Sequence, residues 1–240
     1  MADPLISLLS PMRAAIDRYD MIADGDHIAV GVSGGKDSVA LLAALARFRA
    51  FSPVPFKLTA ITLDPCFNGV PGDFSAIKAL CDEWDVPYIL KETHLWEVVF
   101  EERQEKSPCS LCARMRRGIL HRTAKEAGCN VVALGHHQDD VAETFWMNLM
   151  DGGTLGCFSP KSYLDRQELT LIRPFIFIEE ATIRSAVRRL ALPIIPSRCP
   201  VDGCTNRGQA GDQLAALAEL YGPINQKIQN ALQKAGLNGW

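Results

Sequence analysis

Long hydrophobic runs are absent from this sequence of 240 residues. No apolar stretch reaches the roughly 18–20 residues that a membrane-spanning helix requires, so the sequence predicts no membrane partner. The chain begins Met-Ala-Asp-Pro-Leu, without a basic segment before an apolar core, and therefore shows no signal peptide. We expect a cytoplasmic protein.

A strong excess of one charge is also absent. The 25 basic and 28 acidic side chains leave a net charge of −3, so no general basic field attracts nucleic acid. Any nucleic-acid contact must therefore use a local basic patch. A chain of this length buries roughly 70–75% of its unfolded surface, so it needs neither disulfides nor metal merely to fold.

Cysteine, by contrast, is abundant. Eight cysteines in a chain without a secretion signal point away from disulfides and towards metal, cluster or redox chemistry. Four of them form two pairs: Cys109 with Cys112, and Cys199 with Cys204. The other four have no partner spacing and are expected to be packing residues, although a sulfur relay through one in a loop stays open: Cys66, Cys81, Cys129 and Cys157.

Predicted strands and helices alternate along the chain. The strands are expected at 27–33, 57–63, 86–90, 131–134 and 169–173. This alternation predicts an α/β fold, an open and mostly parallel sheet with helices on both faces. Residues 150–168 and 193–211 are expected to be loops, and residues 213–235 a single helix.

A glycine-rich loop follows the first predicted strand and opens a helix. Its sequence is Ser33-Gly34-Gly35-Lys36-Asp37-Ser38. Backbone N–H groups at such a helix start hold phosphate, glycine permits close approach, and Lys36 adds a positive charge. The loop is neither a Walker A motif nor a dinucleotide fingerprint. It resembles the signature of PP-loop ATP pyrophosphatases, and that resemblance implies cleavage of ATP between its α and β phosphates.

The first cysteine pair has the spacing of a ligand pair. A two-residue spacer lets both sulfurs reach one metal or cluster, and the start of a helix favours thiolates. Together with the second pair, the chain offers either a zinc site with four thiolates or a [4Fe–4S] cluster with three. Spacing alone does not decide between the two.

Further motifs follow in a fixed order. They are Cys-x-x-Cys-x-Arg-x-Arg-Arg-Gly from Cys109, Gly-His-His-x-Asp-Asp from Gly135, Gly152-Gly153, and Arg173-Pro174. With the glycine loop upstream, this series resembles the tRNA 2-thiocytidine synthetase (TtcA) family over roughly residues 12–210. The resemblance implies three segments: a helical extension (1–24), a PP-loop ATP-binding domain (25–192), and a cysteine-containing loop with a C-terminal helix (193–240).

The resemblance also implies an activity. ATP adenylates O2 of cytidine 32 in tRNA, sulfur delivered through a [4Fe–4S] cluster replaces that oxygen, and AMP and pyrophosphate are released. The implied partners are tRNA and a sulfur donor such as a cysteine desulfurase, with a homodimer left open. The implied cluster ligands are Cys109, Cys112 and Cys199. Cys204 is an alternative third ligand, because four residues separate it from Cys199 where the family usually has two.

Several polar residues at strand ends are candidates for the ATP site. We expect Lys36, Asp37 and Asp140 to be catalytic, since carboxylates suit Mg²⁺ bound to ATP phosphates. A capping box with Glu143 is the alternative for Asp140. The other expected ATP-binding residues are Ser33, Gly34, Gly35, Ser38, Asp64, Gly135 and His136. For Asp64 a turn cap is an equal alternative.

Three arginines after the first cysteine pair form the candidate tRNA-binding patch: Arg114, Arg116 and Arg117. A solvated helix face is the alternative for them. Two other functions stay open. One is a PP-loop enzyme with a structural zinc site that acts on another RNA base or a small molecule. The other is a non-catalytic nucleotide-binding module.

Overall fold

A six-stranded sheet forms the centre of the computed structural model, which describes residues 5–103, 108–201 and 206–240. The strands are β1 (His27–Gly31), β2 (Lys57–Asp64), β3 (Tyr88–Glu92), β4 (Val131–Ala133), β5 (Lys161–Leu164) and β6 (Leu169–Ile172). They lie in the order β3-β2-β1-β4-β6-β5. All neighbours are parallel except β5, which runs antiparallel to β6. The predicted α/β fold class is confirmed.

Helices cover both faces of this sheet. Within the described ranges the α-helices are α1 (Ile6–Arg18), α2 (Lys36–Arg49), α3 (Ser75–Glu83), α4 (Pro108–Glu126), α5 (Gln138–Met150), α6 (Glu180–Arg189), α7 (Asn206–Tyr221) and α8 (Ile224–Ala235). A π-helix spans Glu97–Glu102, and short 3-10 helices span Phe67–Gly69 and Leu237–Gly239. No helix of this part of the chain is long and apolar enough to cross a membrane.

The strands are buried on both faces because two hydrophobic clusters flank them. Successive side chains of a strand point to opposite faces. In β1, Ile28 and Val30 therefore join the larger cluster with α2, while Ala29 joins a smaller cluster under α4. Helix α2 lies between the sheet and α6, which explains its run of fully buried alanine and leucine side chains.

The strand order places a crevice beside β1. The chain moves from β1 to β2 and β3 on one side, and then returns to β4 and β6 on the other side. Connections that leave a parallel sheet in opposite directions open a cleft at the carboxyl ends of the strands, where ligands bind in open α/β folds. The glycine loop follows β1 and lies at this point.

Three sequence predictions about loops and helices are wrong. The predicted loop at 150–168 contains β5, an edge strand whose side chains alternate between exposed and half-buried and which owes its conformation to pairing with β6. Helix α7 begins at Asn206, inside the second predicted loop. The single helix predicted at 213–235 is two helices, because Gly222 has φ +75° and Pro223 lacks an N–H donor.

Candidate active site

A cavity of about 630 Å³ opens at the carboxyl edge of the sheet. Residues after β1, β4 and β6 line it together with one face of α4 and the start of α7. The lining residues are Gly31, Val32, Ser33, Gly35, Asp37, Ser38, Ile61, Leu63, Ala113, Arg116, Arg117, Leu120, Leu134, Gly135, His136, Asp140, Phe158, Leu171, Arg173 and Arg207. The structure thus brings together most of the residues that the sequence assigns to the ATP site.

The glycine loop is closed by a side chain at the start of α2. The hydroxyl of Ser38 accepts a hydrogen bond from the N–H of Ser33 at 3.1 Å and donates one to the carbonyl of Gly35 at 2.9 Å. Gly34 has φ +87°, a left-handed conformation that favours glycine. The Ser33, Gly35, Asp37 and Ser38 positions face the cavity.

Gly135 allows two segments of the site to approach each other. A Cβ atom at this position would lie 3.1 Å from the backbone C and O atoms of Asp37 and 3.2 Å from the N atom of Ser38. Backbone atoms cannot rotate away as a flexible side chain can. Gly135 therefore lets the turn after β4 pack directly on the first turn of α2.

Lys36 is held by two carboxylates. Its Nζ lies 3.0 Å from Oδ2 of Asp37 and 2.7 Å from Oε1 of Glu180. Burial alone lowers the pKa of Lys36, but the hydrogen bonds to Glu180 and Asp37 outweigh burial and raise that pKa. The ammonium group is therefore charged and fixed at the edge of the glycine loop. No motif in the sequence pointed to Glu180.

Asp140 caps α5, although not with the partner that the sequence suggested. Its Oδ2 accepts a hydrogen bond from the N–H of His137 at 3.0 Å, and His137 is the N-cap residue. The imidazole Nε2 of His137 lies 3.4 Å from Oδ2 of Asp140 and 3.7 Å from Oδ1 of Asp37. Burial lowers the pKa of His137, but the hydrogen bond to Asp139 and the nearby carboxylates raise it overall.

Arg207 links α7 to this carboxylate group. It forms an ion pair with Oδ1 of Asp140, and its Nη2 donates a hydrogen bond to Oγ1 of Thr144 at 3.2 Å. Its Nε lies 3.7 Å from Oε2 of Glu143, whose pKa is raised to about 7 by burial and by the charge of Asp140. Arg207 falls in a segment that was predicted as a loop, and no sequence signal identified it.

His136, Phe158 and Arg173 form the far wall of the cavity. The rings of His136 and Phe158 are 4.9 Å apart, and the Cζ of Arg173 lies 4.9 Å from the Phe158 ring centroid. Burial, followed by the positive charge of Arg173, lowers the pKa of His136 to about 4. The imidazole is therefore neutral, and its Nδ1 has no hydrogen-bond partner among the residues that the structure describes.

The first cysteine pair and the cavity share one face of α4. Cys109, Cys112 and Arg116 follow one another at spacings of three and four residues, so their side chains lie along one side of the helix. Arg116 and Arg117 line the cavity, whereas Arg114 is exposed and lies outside it. The thiols of the pair thus stand near the mouth of the cavity.

Cys199 lies near this pair, in a loop that packs on the glycine loop. The N–H of Ile195 donates a hydrogen bond to the carbonyl of Gly34 at 2.9 Å. Burial raises the pKa of Cys112. The nearby positive charge of Arg116 opposes that rise, whereas the negative charges of the Cys199 and Cys109 thiolates would add to it. Burial thus outweighs the positive charge of Arg116, which by itself would favour the thiolate of Cys112. Cys204 lies outside the described residues.

The described ranges contain no group of three or more His, Cys, Asp or Glu side chains that could hold a single metal ion. A cluster makes a different demand, because each thiolate binds a different iron and the sulfurs stand further apart. Cys109, Cys112 and Cys199 are free thiols, and Cys199 and Cys109 both lie close enough to Cys112 to raise its pKa. This donor set suits an iron–sulfur cluster.

The remaining described cysteines differ from these three. Cys81, Cys129 and Cys157 are buried, as expected for packing residues. Burial raises the pKa of Cys81 to about 11 and that of Cys157 to about 12, so both thiols are protonated at neutral pH. Cys66 is only partly buried and has a left-handed backbone conformation.

Asp64 is turned towards a loop rather than into the cavity. Its carboxylate accepts hydrogen bonds from the N–H groups of Cys66 at 3.0 Å and Gly72 at 2.6 Å. The side chain is buried and is absent from the cavity lining within the described residues. This is the geometry of a turn cap, and a role for Asp64 in ATP binding stays a prediction.

The fold and the glycine loop define a PP-loop protein. A family model of the PP-loop domain matches residues 10–194, and the chain belongs to this family. Its curated relatives narrow the assignment. The chain is 44% identical over 223 residues to the tRNA-cytidine(32) 2-sulfurtransferase of Dechloromonas aromatica, covering 92% of this chain and 77% of that protein. The chain belongs to the family of tRNA-cytidine(32) 2-sulfurtransferases.

Other relatives carry the same name. The enzyme of Syntrophotalea carbinolica is 40% identical, with 91% of this chain and 85% of that protein covered. For the enzyme of Cupriavidus metallidurans, at 41% identity, the match covers 76% of this chain and 58% of that protein. The chain thus matches little more than half the length of some relatives.

A solved structure shares the fold. The U34-tRNA thiolase NcsA from Methanococcus maripaludis, solved with its [4Fe-4S] cluster, superposes with a TM-score of 0.78. The match covers 97% of this chain and 79% of that chain, at 23% sequence identity. The two proteins therefore have the same architecture.

Proposed function

We propose that this chain is an ATP-dependent tRNA sulfurtransferase that adenylates O2 of cytidine 32 and replaces it with sulfur, with AMP and pyrophosphate as products. One observation carries the proposal: a single face of α4 presents Cys109 and Cys112 and then lines the nucleotide cavity with Arg116. The names of the curated relatives support the same reaction.

In this proposal ATP lies in the cavity with its phosphates at the glycine loop and its base on the apolar wall. The backbone N–H groups of the glycine loop and the hydroxyl of Ser33 bind the terminal phosphates, while the hydroxyl of Ser38 holds the loop closed. Ile61, Leu63 and Leu120 provide an apolar wall for the adenine ring. The volume of about 630 Å³ lies within the range of roughly 300–1,000 Å³ that is usual for small-molecule sites.

Mg²⁺ bound with ATP is part of this proposal. Magnesium in nucleotide sites takes one or two carboxylates together with phosphate oxygens and water. Asp37 and Asp140 both face the cavity, and within the described ranges Oδ1 of Asp37 has no hydrogen-bond partner. Lys36 stands at the loop entrance as a further charge for the departing pyrophosphate, once it leaves Glu180.

Cys109, Cys112 and Cys199 are the residues that we assign to a [4Fe–4S] cluster, with Cys204 as the alternative to Cys199. When bound, the cluster supplies the sulfur atom that replaces the base oxygen. Cys81 and Cys157 cannot provide this sulfur readily, because burial keeps their thiols protonated. The sulfur donor in this proposal is an outside protein such as a cysteine desulfurase.

We assign binding of the tRNA backbone phosphates to the arginines of α4. Arg114 is exposed, and Arg116 and Arg117 lie at the cavity wall, so together they form a local basic patch. A chain with a net charge of −3 needs such a patch, since no general field draws RNA to it.

Two measurements test this function. Nucleoside mass spectrometry of tRNA from a deletion strain should show 2-thiocytidine restored by the wild-type chain and not by Cys112→Ala. Anaerobic purification should yield a coloured protein with iron and sulfide in roughly equal amounts. A colourless protein with stoichiometric zinc would contradict the cluster, and unchanged 2-thiocytidine in the deletion strain would contradict the substrate.

A further inference from the structure

Arg173 is a buried cation that forms no ion pair within the described residues. It follows β6, is 8% exposed, and lines the cavity. Its Nη1 donates a hydrogen bond to the carbonyl of Ser159 at 2.5 Å, while its Nε has no hydrogen-bond partner in the part of the chain that the structure describes. Removing a charge from water is costly unless an opposite charge or hydrogen bonds compensate. An anionic ligand in the cavity would supply that compensation.

The guanidinium is held in position by its neighbours. Phe158 packs against it at 4.9 Å, and His136 packs against Phe158. The neutral imidazole of His136 adds no second positive charge beside the guanidinium. A planar guanidinium fixed in this way is suited to bind two oxygens of one phosphoryl group without moving.

The sheet determines which part of the nucleotide Arg173 can reach. Strand β6 lies two strands away from β1, with β4 between them, which corresponds to about 10 Å. The glycine loop follows β1, and the carboxyl ends of all three strands face the same cavity. Leu171 of β6 lines the cavity together with Ile61 and Leu63, so Arg173, two residues further along, stands beside this apolar wall and faces the same cavity as the glycine loop.

We propose that Arg173 binds the α-phosphoryl group of ATP and keeps it after transfer to the base, while the glycine loop binds the pyrophosphate. The inference rests on the proposed function. In the adenylation step, O2 of the cytosine forms a bond to Pα, and the bond from Pα to the bridging oxygen breaks with its electron pair on pyrophosphate. The ring takes up the positive charge, so no proton has to leave.

A tRNA backbone phosphate is the competing ligand for Arg173. The side chain of Arg173 is buried in the cavity next to Phe158, whereas the side chains of Arg114 and Arg117 are exposed on α4. Backbone phosphates of a folded RNA reach exposed arginines more readily than a buried one. The geometry therefore favours a phosphoryl group that enters the cavity with the nucleotide.

The test compares AMP with pyrophosphate on the full chain. In Arg173→Gln, we expect AMP to bind roughly 10- to 100-fold more weakly, as for the loss of a charge-assisted contact, while pyrophosphate and tRNA affinities change less than about twofold. Calorimetry gives the ligand affinities and filter binding gives the tRNA affinity. Arg47→Gln, an exposed arginine near the end of α2, is the matched control and should change none of them.

Other outcomes overturn the assignment. The assignment is wrong if Arg173→Gln lowers the affinities for AMP and pyrophosphate equally, or if it leaves the AMP affinity unchanged. It is also wrong if only the tRNA affinity falls, and that result would identify a tRNA backbone phosphate as the ligand of Arg173. If Arg173→Gln does not fold, Arg173→Lys gives the same comparison. Lysine keeps the positive charge but lacks the planar guanidinium that binds two oxygens of one phosphoryl group. Absence of 2-thiocytidine with the wild-type chain would reject the proposed function, and the ligand affinities would still test Arg173.

Discussion

The N–H of Ile195 donates a hydrogen bond to the carbonyl of Gly34 at 2.9 Å, and this contact ties the loop of Cys199 to the phosphate-binding loop. The two loops are far apart in sequence. Because they share this contact, the two loops are packed against each other. The nucleotide site and the cysteine site are therefore parts of one structural unit.

Gly34→Ala should destabilise this unit. The new Cβ would lie 2.8 Å from the Cβ of Ile195, in a backbone conformation of φ +87° that alanine rarely adopts. We expect the free energy of unfolding to fall by about 1–3 kcal/mol, measured by urea denaturation. In Gly35→Ala the nearest contact is an ordinary 3.5 Å from Oγ of Ser33, so this control should lose little stability. Equal losses in both variants would contradict the packing argument.

Replacement of a proposed cluster ligand should remove iron. We expect Cys109→Ala, Cys112→Ala and Cys199→Ala to lose most iron and sulfide after anaerobic purification. Cys81→Ala, at a fully buried position, should retain both. Cys204→Ala tests the alternative ligand: loss of iron there with retention in Cys199→Ala would assign the third ligand to Cys204.

Glu180→Gln should strengthen ATP binding. Oε1 of Glu180 lies 2.7 Å from Nζ of Lys36 and therefore competes with a phosphate for the ammonium group. The neutral amide of glutamine competes less well than this carboxylate. A partly exposed ion pair contributes about 0.2–1 kcal/mol, so an increase in affinity of up to about fivefold is expected by calorimetry. The adjacent exposed Glu179→Gln is the control. Weaker ATP binding in Glu180→Gln would show that Glu180 supports the site instead.

Glu143 should make stability depend on pH. Its pKa is about 7 in the folded chain against an ordinary value of 4.5, so the folded state holds a proton that the unfolded chain releases as pH rises from 4.5 to 7. The free energy of unfolding should fall by about 2–3 kcal/mol across that window. Glu143→Gln should remove this decline, whereas Glu219→Gln, exposed on α7, should keep it. Parallel curves for wild type and Glu143→Gln would disprove the assignment.

Arg114→Gln should weaken the binding of tRNA without affecting the binding of ATP. Because Arg114 is exposed and outside the cavity, its loss should weaken tRNA binding and reduce the salt dependence of the logarithm of the affinity by roughly 0.7–0.9. ATP affinity should not change. Lys57→Gln removes an exposed charge at the start of β2, on the opposite edge of the sheet, and is the control. If the salt dependence of tRNA affinity is the same in Arg114→Gln and the wild type, the tRNA backbone does not contact Arg114.

Local patterns in the sequence predicted the parts of the site that lie within one segment. The strand, the glycine loop and α2 are contiguous, so their residue types indicate the phosphate site directly. The spacing of Cys109, Cys112 and Arg116 likewise predicts one helix face, because the helical period is a local property. The same holds for strands whose hydrophobic runs are buried on both faces.

Contacts between distant segments were decided by the tertiary structure. The pairing of Arg207 with Asp140, of Lys36 with Glu180 and of Ile195 with Gly34 depends on how helices and loops pack. The edge strand β5 needs β6 beside it, and α7 ends where Gly222 changes the chain direction.

The sequence by itself determined the α/β architecture, the phosphate loop and the first cysteine pair, because local periodicity and glycine chemistry encode them. Only the tertiary structure brought Cys199 near that pair and left Arg173 buried without an ion-pair partner in the described part of the chain. Both depend on burial and on distances between segments that meet only after the sheet has formed. No local pattern of residues encodes those distances.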